Sequence, residues 1–317
     1  MKAAVVASFE AAPRYGEFAP PQPEADEVLV SVKAAAVTQL ARAFAAGKHH
    51  AAAKPPVVPG MDGVGVLDGQ RVYFAFPRPP VGSMAEQVAV KRIYTVPLPA
   101  DVDDVTAAAA SNPGMSSWVG LTRRAQFRSG ESVLVNGAAG VSGRLALQVA
   151  KRLGARRVVA TARNPDVEAE LRELGADAFI MLGQDASALS DALRRELRDH
   201  GVDVVLDYLY GSSAEAFIQA CVGPGRGAAE PRVRFIQLGT LASPNLTLPA
   251  AALRSSGLEL LGAGLGAVSN QELVRAIGEF LADYRAAGFR AETDVAPLRE
   301  VETAWSRPSR ARLVLTT

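Results

Sequence analysis

Residues 132–155 read SVLVNGAAGVSGRLALQVAKRLGA, and this stretch decides the fold of the second half of the chain. The first five residues form an apolar run with the length of a buried β-strand, while the apolar residues from 143 to 153 recur at the spacing of an amphipathic helix. A glycine-rich turn over 137–143 connects the two. The pattern predicts a strand, a tight loop and a helix whose N-terminal N–H groups bind phosphate.

The loop matches A-x-G-x-x-G, because Ala138 stands at the first position of the usual G-x-G-x-x-G and an additional glycine, Gly137, precedes it. Gly140 is expected to let the backbone approach a pyrophosphate, and Gly143 to let the helix lie close to the strand. We therefore predict that the chain binds a dinucleotide. The predicted loop contacts are Gly137, Ala138, Ala139, Gly140, Val141 and Ser142.

Strand-length apolar runs alternate with helical segments after about residue 110. Strict alternation predicts right-handed βαβ units and a doubly wound parallel sheet of the Rossmann type. Before residue 110, short valine-rich runs bounded by proline and glycine predict a compact, mostly β unit. The end of the chain breaks the alternation and is expected to return to the β unit. The predicted domains are therefore 1–108 together with 250–317, and 109–249.

The choice of dinucleotide depends on the end of the second strand of this half, RVVATA at 157–162. An enzyme that uses NAD places Asp or Glu there to accept a hydrogen bond from the ribose 2′-hydroxyl. This strand instead leads into Arg163 and Asn164, with no carboxylate before Asp166. Arginine binds a 2′-phosphate by charge-assisted hydrogen bonds, so NADPH is the predicted cofactor. The alternative is that Arg163 is only a solvated residue at a strand end.

Two later strand ends should lie at the same edge of the parallel sheet, where ligands bind. They are the stretches DYLYG at 207–211 and LGT at 238–240. Their glycines are also common turn residues, which is the alternative interpretation. The predicted cofactor contacts here are Tyr208, Leu238, Gly239 and Thr240.

The amino-acid composition limits which binding partners and which cellular compartment are expected. The chain has 317 residues, 34 basic and 33 acidic side chains and a formal net charge of +1, which gives no reason to expect nucleic acid or an anionic membrane as a partner. No apolar stretch reaches the roughly 18–20 residues of a membrane-spanning helix. Cys221 is the only cysteine, so neither disulfides nor a cysteine metal cluster is expected. A cytoplasmic location is predicted.

Several motifs together carry a family resemblance that covers nearly the whole chain: PPVVPGMDGVG, GQRVYF, GSMAEQVAV, NPGMSSWVGL, the glycine loop with AKRLGA, ELGAD and the closing RLVLTT. In order and spacing they resemble the medium-chain dehydrogenase/reductase superfamily, in its zinc-independent quinone oxidoreductase branch. The resemblance implies a GroES-like catalytic domain, an inserted Rossmann domain, and hydride transfer from nicotinamide C4 to a small-molecule substrate.

Zinc-dependent members of the superfamily need cysteine and histidine ligands that this chain lacks. At the position of their catalytic cysteine stands the stretch AAAVTQLARAF, and their G-H-E is here Gly60-Met61-Asp62. No metal site is therefore predicted. Without a Lewis acid to polarise an alcohol oxygen, the resemblance implies an already activated acceptor, a quinone or an α,β-unsaturated carbonyl.

The chain also departs from the pattern of these relatives. Their N-x-x-D is here Thr38-Gln39-Leu40-Ala41, and their G-L-T-A-Y is Gly114-Met115-Ser116-Ser117-Trp118. Thr38, Ser116 and Thr240 are candidates for orienting nicotinamide or substrate. Candidate proton or hydrogen-bond donors to the substrate, each of which could instead be a packing residue, are Tyr73, Tyr208 and Tyr210. Candidates for the substrate slot, with core packing as the alternative, are Met61, Phe74 and Met84.

Other functions of the same fold remain open at this point. One is an alkenal or enoyl reductase, and another is an NADPH-binding protein with little turnover. The run LELLGAGLG at 258–266 is expected to form an edge strand. Because an unpaired apolar edge favours association, a homodimer is predicted.

Overall fold

A computed structural model describes residues 1–49, 52–222 and 230–317. The chain forms two compact units, Met1–Asn112 with Ser269–Thr317, and Pro113–Val268. The predicted domain boundaries, 108/109 and 249/250, differ from these divisions. The second boundary lies later because residues 257–262 form a strand that pairs with the parallel sheet of the second unit.

The secondary structure changes, as predicted, from mostly β-strands in the first part of the chain to alternating strands and helices after about residue 110. The strands are β1 (Lys2–Val5), β2 (Arg14–Glu17), β3 (Glu27–Ala36), β4 (Asp62–Leu67), β5 (Gln70–Ala75), β6 (Gln87–Lys91), β7 (Thr95–Pro97), β8 (Ser132–Asn136), β9 (Arg157–Ala162), β10 (Ala178–Met181), β11 (Val204–Asp207), β12 (Arg232–Gln237), β13 (Gly257–Gly262), β14 (Thr293–Pro297) and β15 (Arg312–Thr316). The α-helices are α1 (Gln39–Ala45), α2 (Asp104–Val119), α3 (Val141–Arg152), α4 (Glu168–Glu173), α5 (Ala186–Asp199), α6 (Gly211–Ala220), α7 (Ala250–Arg254), α8 (Asn270–Asp283) and α9 (Val301–Trp305).

The first unit is mostly β, as the sequence predicts. Its main sheet has the order β14-β15-β3-β4-β5-β7, with β6 also paired to β3, and β1 and β2 form a separate hairpin. Strand β3 shows why this sheet forms, since Val28, Val30 and Val32 are buried while the residues between them are exposed. That period-2 alternation places one face of the strand in the core and leaves the other in solvent.

The second unit contains a fully parallel six-stranded sheet in the order β10-β9-β8-β11-β12-β13. Counted from β8, this is the strand order 3-2-1-4-5-6 of the Rossmann fold. All five residues of β8 are buried, as expected for a central strand covered on both faces. The α/β fold class, a mostly β domain plus a Rossmann domain, is confirmed.

Strands β9 and β10 follow β8 on one side of the sheet, whereas β11, β12 and β13 are added on its other side. The strand order therefore switches between β8 and β11, which are neighbours in the sheet. In open parallel sheets, ligands bind beyond the carboxyl ends of the strands at such a switch point. The ends of β8, β9, β11 and β12 therefore define where a ligand of this unit belongs.

A buried ion pair ties β12 to the segment before β8. The Arg234 side chain, 4% exposed, donates to the carboxylate of Glu131 at 2.6 Å and to the carbonyl oxygen of Ala125 at 2.7 Å. Because the guanidinium is removed from water, its partners are needed to offset the desolvation of the charge.

Among the described helices, none combines the length and the apolar character that crossing a membrane requires.

Candidate functional site

The glycine loop turns at Gly137, one residue earlier than the motif suggests. Gly137 has φ +91°, and a Cβ there would lie 2.8 Å from Cγ of Leu209. Ala138 is completely buried, and its N–H donates to the carbonyl oxygen of Thr161 at 2.8 Å. The tight turn is thus made by Gly137, which explains why alanine is accommodated at the usual first glycine.

Gly143 is required by close approach of the helix to the strand. A Cβ on Gly143 would lie 2.6 Å from Cα of Ala138 and in collision with the carbonyl oxygen of Gly137. Gly140, in contrast, has open space around it, its nearest neighbour being the Gly137 carbonyl oxygen at 4.0 Å. Gly143 therefore lets the helix lie close to the strand, and Gly140 leaves open space beside its backbone.

The N-terminus of α3 presents unsatisfied N–H groups. Gly140 is its N-cap, and no side chain of the described residues caps the helix. Gly140 is exposed, and Ala139, Val141 and Ser142 are half-buried. The first N–H groups of an α-helix have no partner within the helix, and the helix dipole adds a partial positive charge. Four of the six predicted loop residues thus lie at or directly before this helix N-terminus, whereas the N–H groups of Gly137 and Ala138 are used within the protein.

The end of β9 carries an exposed arginine. Arg163 is exposed and forms no hydrogen bond or ion pair with any described residue. Asn164 is also exposed, but its side-chain oxygen accepts from the N–H of Asp166 at 3.0 Å and caps the following turn. Arg163 is therefore available to a phosphate, while Asn164 retains only its amide N–H groups for a ligand.

The backbones after β11 and β12 touch each other. A Cβ on Gly239 would lie 2.6 Å from the carbonyl oxygen of Tyr208, so glycine is needed there for packing. Leu238 is half-buried and Thr240 is exposed. Of the residues predicted at this strand end, Thr240 presents the most accessible hydrogen-bonding side chain.

Tyr208 and Ser116 form a hydroxyl pair, with 3.0 Å between the two oxygens. Ser116 donates its only hydrogen to the carbonyl oxygen of Pro113 at 2.7 Å, so Tyr208 is the donor in the pair. Burial raises the pKa of Tyr208 well above its usual range. The structure thus brings together Tyr208, predicted as a cofactor contact and as a candidate donor to the substrate, and Ser116, predicted to orient nicotinamide or substrate.

Tyr73 lies in the interior of the first unit. It is 1% exposed, and its hydroxyl donates to the carboxylate of Asp62 at 3.0 Å. Burial raises the pKa of Asp62 to about 6, an effect opposed by the hydrogen bond from Tyr73 and the charge of Arg312. The Tyr73 hydroxyl is thus enclosed in this unit beside Asp62, and its direct contact with a substrate stays a prediction.

The remaining candidates of the first unit fall into two groups. Phe74 and Met84 are core residues, 0% and 1% exposed, so the packing interpretation applies to them. Met61 is half-buried and lines a small apolar pocket of about 50 Å³. Thr38 is the N-cap of α1, and its hydroxyl oxygen accepts from the N–H of Ala41 at 3.0 Å.

Sequence reasoning missed a buried polar cluster at the same edge of the parallel sheet. Asn136, Thr161 and Asp207 are hydrogen-bonded to one another at the ends of β8, β9 and β11. The available signal was a polar residue in the last or next-to-last position of each of these apolar strand runs, SVLVN, RVVATA and VVLD.

Known proteins resemble this chain over its full length. Residues 142–278 match the family described as zinc-binding dehydrogenase. A probable NADPH-dependent quinone reductase of Emericella nidulans is 30% identical, covering 96% of both chains. Prostaglandin reductase-3 of Bos taurus is 28% identical over 67% of this chain and 58% of its own. The quinone oxidoreductase of Thermus thermophilus, also solved in complex with NADPH, superposes with a TM-score of 0.81, at 28% identity and complete coverage of both chains.

The family description mentions zinc, for which the described part of the chain offers no cluster of ligands. Within 1–49, 52–222 and 230–317, no three His, Cys, Asp or Glu side chains are grouped so as to hold a metal. Asp62, which stands at the position of the glutamate in G-H-E, is bonded to Tyr73.

The full-length similarity, the order of strands in the parallel sheet and the mostly β first unit agree with one another. The predicted family is confirmed, and the chain belongs to the medium-chain dehydrogenase/reductase superfamily, in its quinone oxidoreductase family.

Proposed function

We propose that this chain is an NADPH-dependent oxidoreductase that transfers hydride to a quinone or a similarly activated carbonyl acceptor without zinc. The observation that carries the proposal is the end of β9, where an exposed Arg163 has no partner among the described residues and follows the strand next to β8, which leads into the uncapped N-terminus of α3. NADPH carries a pyrophosphate, which NADH also has, and a 2′-phosphate, which distinguishes it from NADH, and this edge would offer a site for each. The full-length relatives that are named for NADPH and quinones support the same conclusion.

The residues present fit the cofactor as follows. The N–H groups at Gly140, Val141 and Ser142 would hold the pyrophosphate, and Arg163 the 2′-phosphate, by charge-assisted hydrogen bonds. The backbone of Leu238 and Gly239 and the hydroxyls of Thr240 and Ser116 would orient the nicotinamide end. When bound, NADPH supplies the hydride from its dihydronicotinamide ring.

Hydroxyl groups of this chain would orient the acceptor and supply hydrogen bonds to its developing negative oxygen. Tyr208 remains protonated at neutral pH, because burial raises its pKa, and it donates to Ser116. Turning the Tyr208 hydroxyl toward an acceptor would require only that this one hydrogen bond be exchanged for another. Thr38 accepts one hydrogen bond and has no acceptor for its own hydrogen among the described residues, so it can donate to a ligand.

Cofactor choice is tested by Arg163→Ala, with Arg198→Ala as the control, because Arg198 is an exposed arginine of the same unit that pairs with Asp199. Loss of a charge-assisted contact to phosphate is expected to weaken NADPH binding by about 10-fold or more. NADH binding should be unchanged in both variants. Calorimetry on the wild type and both variants gives the dissociation constants. Tighter binding of NADH than of NADPH by the wild type would overturn the choice of cofactor.

The acceptor class is tested by steady-state oxidation of NADPH. We expect turnover with 1,4-benzoquinone or 9,10-phenanthrenequinone. Turnover of an alkenal alone would favour the double-bond reductase alternative, which the similarity to prostaglandin reductase-3 makes worth including. Tight NADPH binding without turnover of any acceptor would favour a binding protein.

We further propose a homodimer in a cytoplasmic setting. Strand β13 ends the parallel sheet, and apolar side chains are exposed on and around it, Leu253 at 50%, Leu260 at 39% and Leu265 at 47%. Pairing of this edge with a second copy would cover both the unpaired backbone groups and these leucines. Light scattering after size exclusion should give a dimer mass, and Leu260→Lys should lower it. A monomer mass for the wild type would refute the dimer.

The single cysteine, which needs no oxidising compartment, supports a cytoplasmic location.

A further inference from the structure

Three buried polar side chains lie near the carboxyl ends of three neighbouring parallel strands of the second unit, on the last residue of β8 and of β11 and on the next-to-last residue of β9. The Thr161 hydroxyl donates to the side-chain oxygen of Asn136 at 2.8 Å, and the Asn136 side-chain nitrogen donates to Asp207 at 2.8 Å. The same nitrogen also donates to the hydroxyl of Ser213 at 2.9 Å. Thr161, Asn136 and Asp207 are 1%, 4% and 0% exposed. We call these three residues the strand-end relay.

The relay reaches the backbone of two separate loops. At one end, the hydroxyl of Thr161 accepts from the N–H of Gly137 at 3.1 Å, at the turn of the glycine loop. At the other end, the carboxylate of Asp207 accepts from the N–H groups of Leu209 and Tyr210, both at 3.1 Å. These two residues follow Tyr208, so the second loop is the one that carries the tyrosine of the Tyr208–Ser116 pair.

Each loop turns at a residue of positive φ, which a glycine adopts readily and a tyrosine does not, so such support matters most at Tyr210. Gly137 has φ +91° and Tyr210 has φ +62°, a conformation that is unfavourable for a residue with a bulky side chain. In each case the relay accepts a hydrogen bond from the N–H of the residue in question. The hydrogen bonds among the three side chains are buried and those to the loop N–H groups are partly buried, so leaving a donor or acceptor unsatisfied there costs more than in water. A shift of one loop therefore disturbs the hydrogen bonds that hold the other.

We propose that Thr161, Asn136 and Asp207 act as positioning residues that fix the glycine loop relative to the Tyr208 loop, so that the pyrophosphate and nicotinamide ends of one cofactor are held at a set separation. This inference rests on the proposed function, because it assumes that both loops bind the same dinucleotide. Because the three side chains are at most 4% exposed, the proposal assigns them no direct contact with the cofactor.

The first experiment compares Thr161→Val with Ser132→Ala. Valine keeps the shape of threonine but leaves the Gly137 N–H and the Asn136 oxygen without partners. Ser132 is a matched control, because its buried hydroxyl is bonded to Gly201 and Asp203 at the opposite, amino end of the same sheet. Thr161→Ser keeps the hydroxyl and should restore wild-type behaviour.

Both Thr161→Val and Ser132→Ala are expected to lower the free energy of unfolding. Only Thr161→Val should weaken NADPH binding, by about 10-fold, and lower kcat with a quinone acceptor. The fragment 2′,5′-ADP, which lacks the nicotinamide end, should lose much less affinity than NADPH. Equal changes of NADPH affinity in the two variants would show that the hydroxyl of Thr161 is merely structural and would overturn the proposal.

A measurement on the wild-type protein keeps the proposal testable if Thr161→Val does not fold. NADPH should slow amide hydrogen exchange at Gly137 and at Tyr210 together, and leave Asp203 at the amino end of the sheet unchanged. Slower exchange at Gly137 alone would overturn the relay. If the wild type instead prefers NADH, the proposed cofactor fails, and the same comparisons with NADH still decide whether the relay exists.

Discussion

Replacing Asp62 by asparagine should change how the stability of this protein depends on pH. The carboxyl group lies in the core of the first unit, and its pKa of about 6 stands above the ordinary 3.8 because burial disfavours the charge. Each pKa unit corresponds to about 1.4 kcal/mol, so ionised Asp62 makes the folded state about 3 kcal/mol less stable than protonated Asp62 does.

The sign follows from proton binding. Between about pH 4 and pH 6 the folded protein holds a proton on Asp62 that the unfolded chain has released, so this residue makes stability fall as pH rises through that window. Above about pH 6, Asp62 is ionised in the folded protein, and the whole destabilisation of about 3 kcal/mol is present. Asparagine resembles the protonated form and can still accept the hydrogen bond from Tyr73. Asp62→Asn should therefore be more stable than the wild type at pH 8, by an amount that shrinks towards pH 4.

Urea unfolding at a series of pH values measures this difference. Trp305 belongs to the same unit as Asp62, and in a Trp118→Phe background it is the only tryptophan that reports unfolding. Asp68→Asn is the matched control, since Asp68 follows the same strand but its side chain is 72% exposed. A gap between Asp62→Asn and the wild type that stays constant from pH 4 to pH 8 would refute the reasoning.

Three further results are expected. Gly143→Ala should abolish dinucleotide binding and lower the melting temperature, because its Cβ collides with the carbonyl of Gly137; unchanged calorimetric binding would contradict this. Arg234→Met leaves Glu131 without its buried partner and should lower the free energy of unfolding, measured in urea, by about 3–5 kcal/mol. A loss below about 1 kcal/mol would contradict a stabilising Arg234–Glu131 ion pair. Burial raises the pKa of the Cys221 thiol to about 12, so a disulfide reagent at pH 8 should react far more slowly with the folded than with the urea-unfolded protein; equal rates would exclude that shift.

Local sequence patterns were sufficient for the architecture of the second unit. A fully apolar strand run, a glycine loop and an amphipathic helix have one common arrangement, and their repetition dictates a parallel sheet. The predicted helix at 143–153 begins two residues earlier, at Val141, because the turn is made at Gly137 rather than at the position of Ala138.

Side-chain roles were harder to predict, because they depend on contacts between residues distant in sequence. Tyr73 and Tyr208 look equivalent as tyrosines near strand ends, yet Tyr73 donates to a buried carboxylate and Tyr208 to a serine 92 positions away. The strand-end relay was missed for the same reason. Asn136 and Asp207 are 71 positions apart, and only the parallel pairing of β8 with β11 makes them neighbours.

The buried alanine in the glycine loop has a consequence for conformational entropy. Glycine loses more backbone freedom on folding than any other residue, by roughly 0.5–1 kcal/mol relative to alanine. Because Gly137 supplies the positive φ, position 138 needs no such freedom and is filled by a methyl group that is entirely enclosed. The turn that is proposed to bind phosphate is thereby preorganised, with one flexible position fewer than a loop with glycine at both places would have.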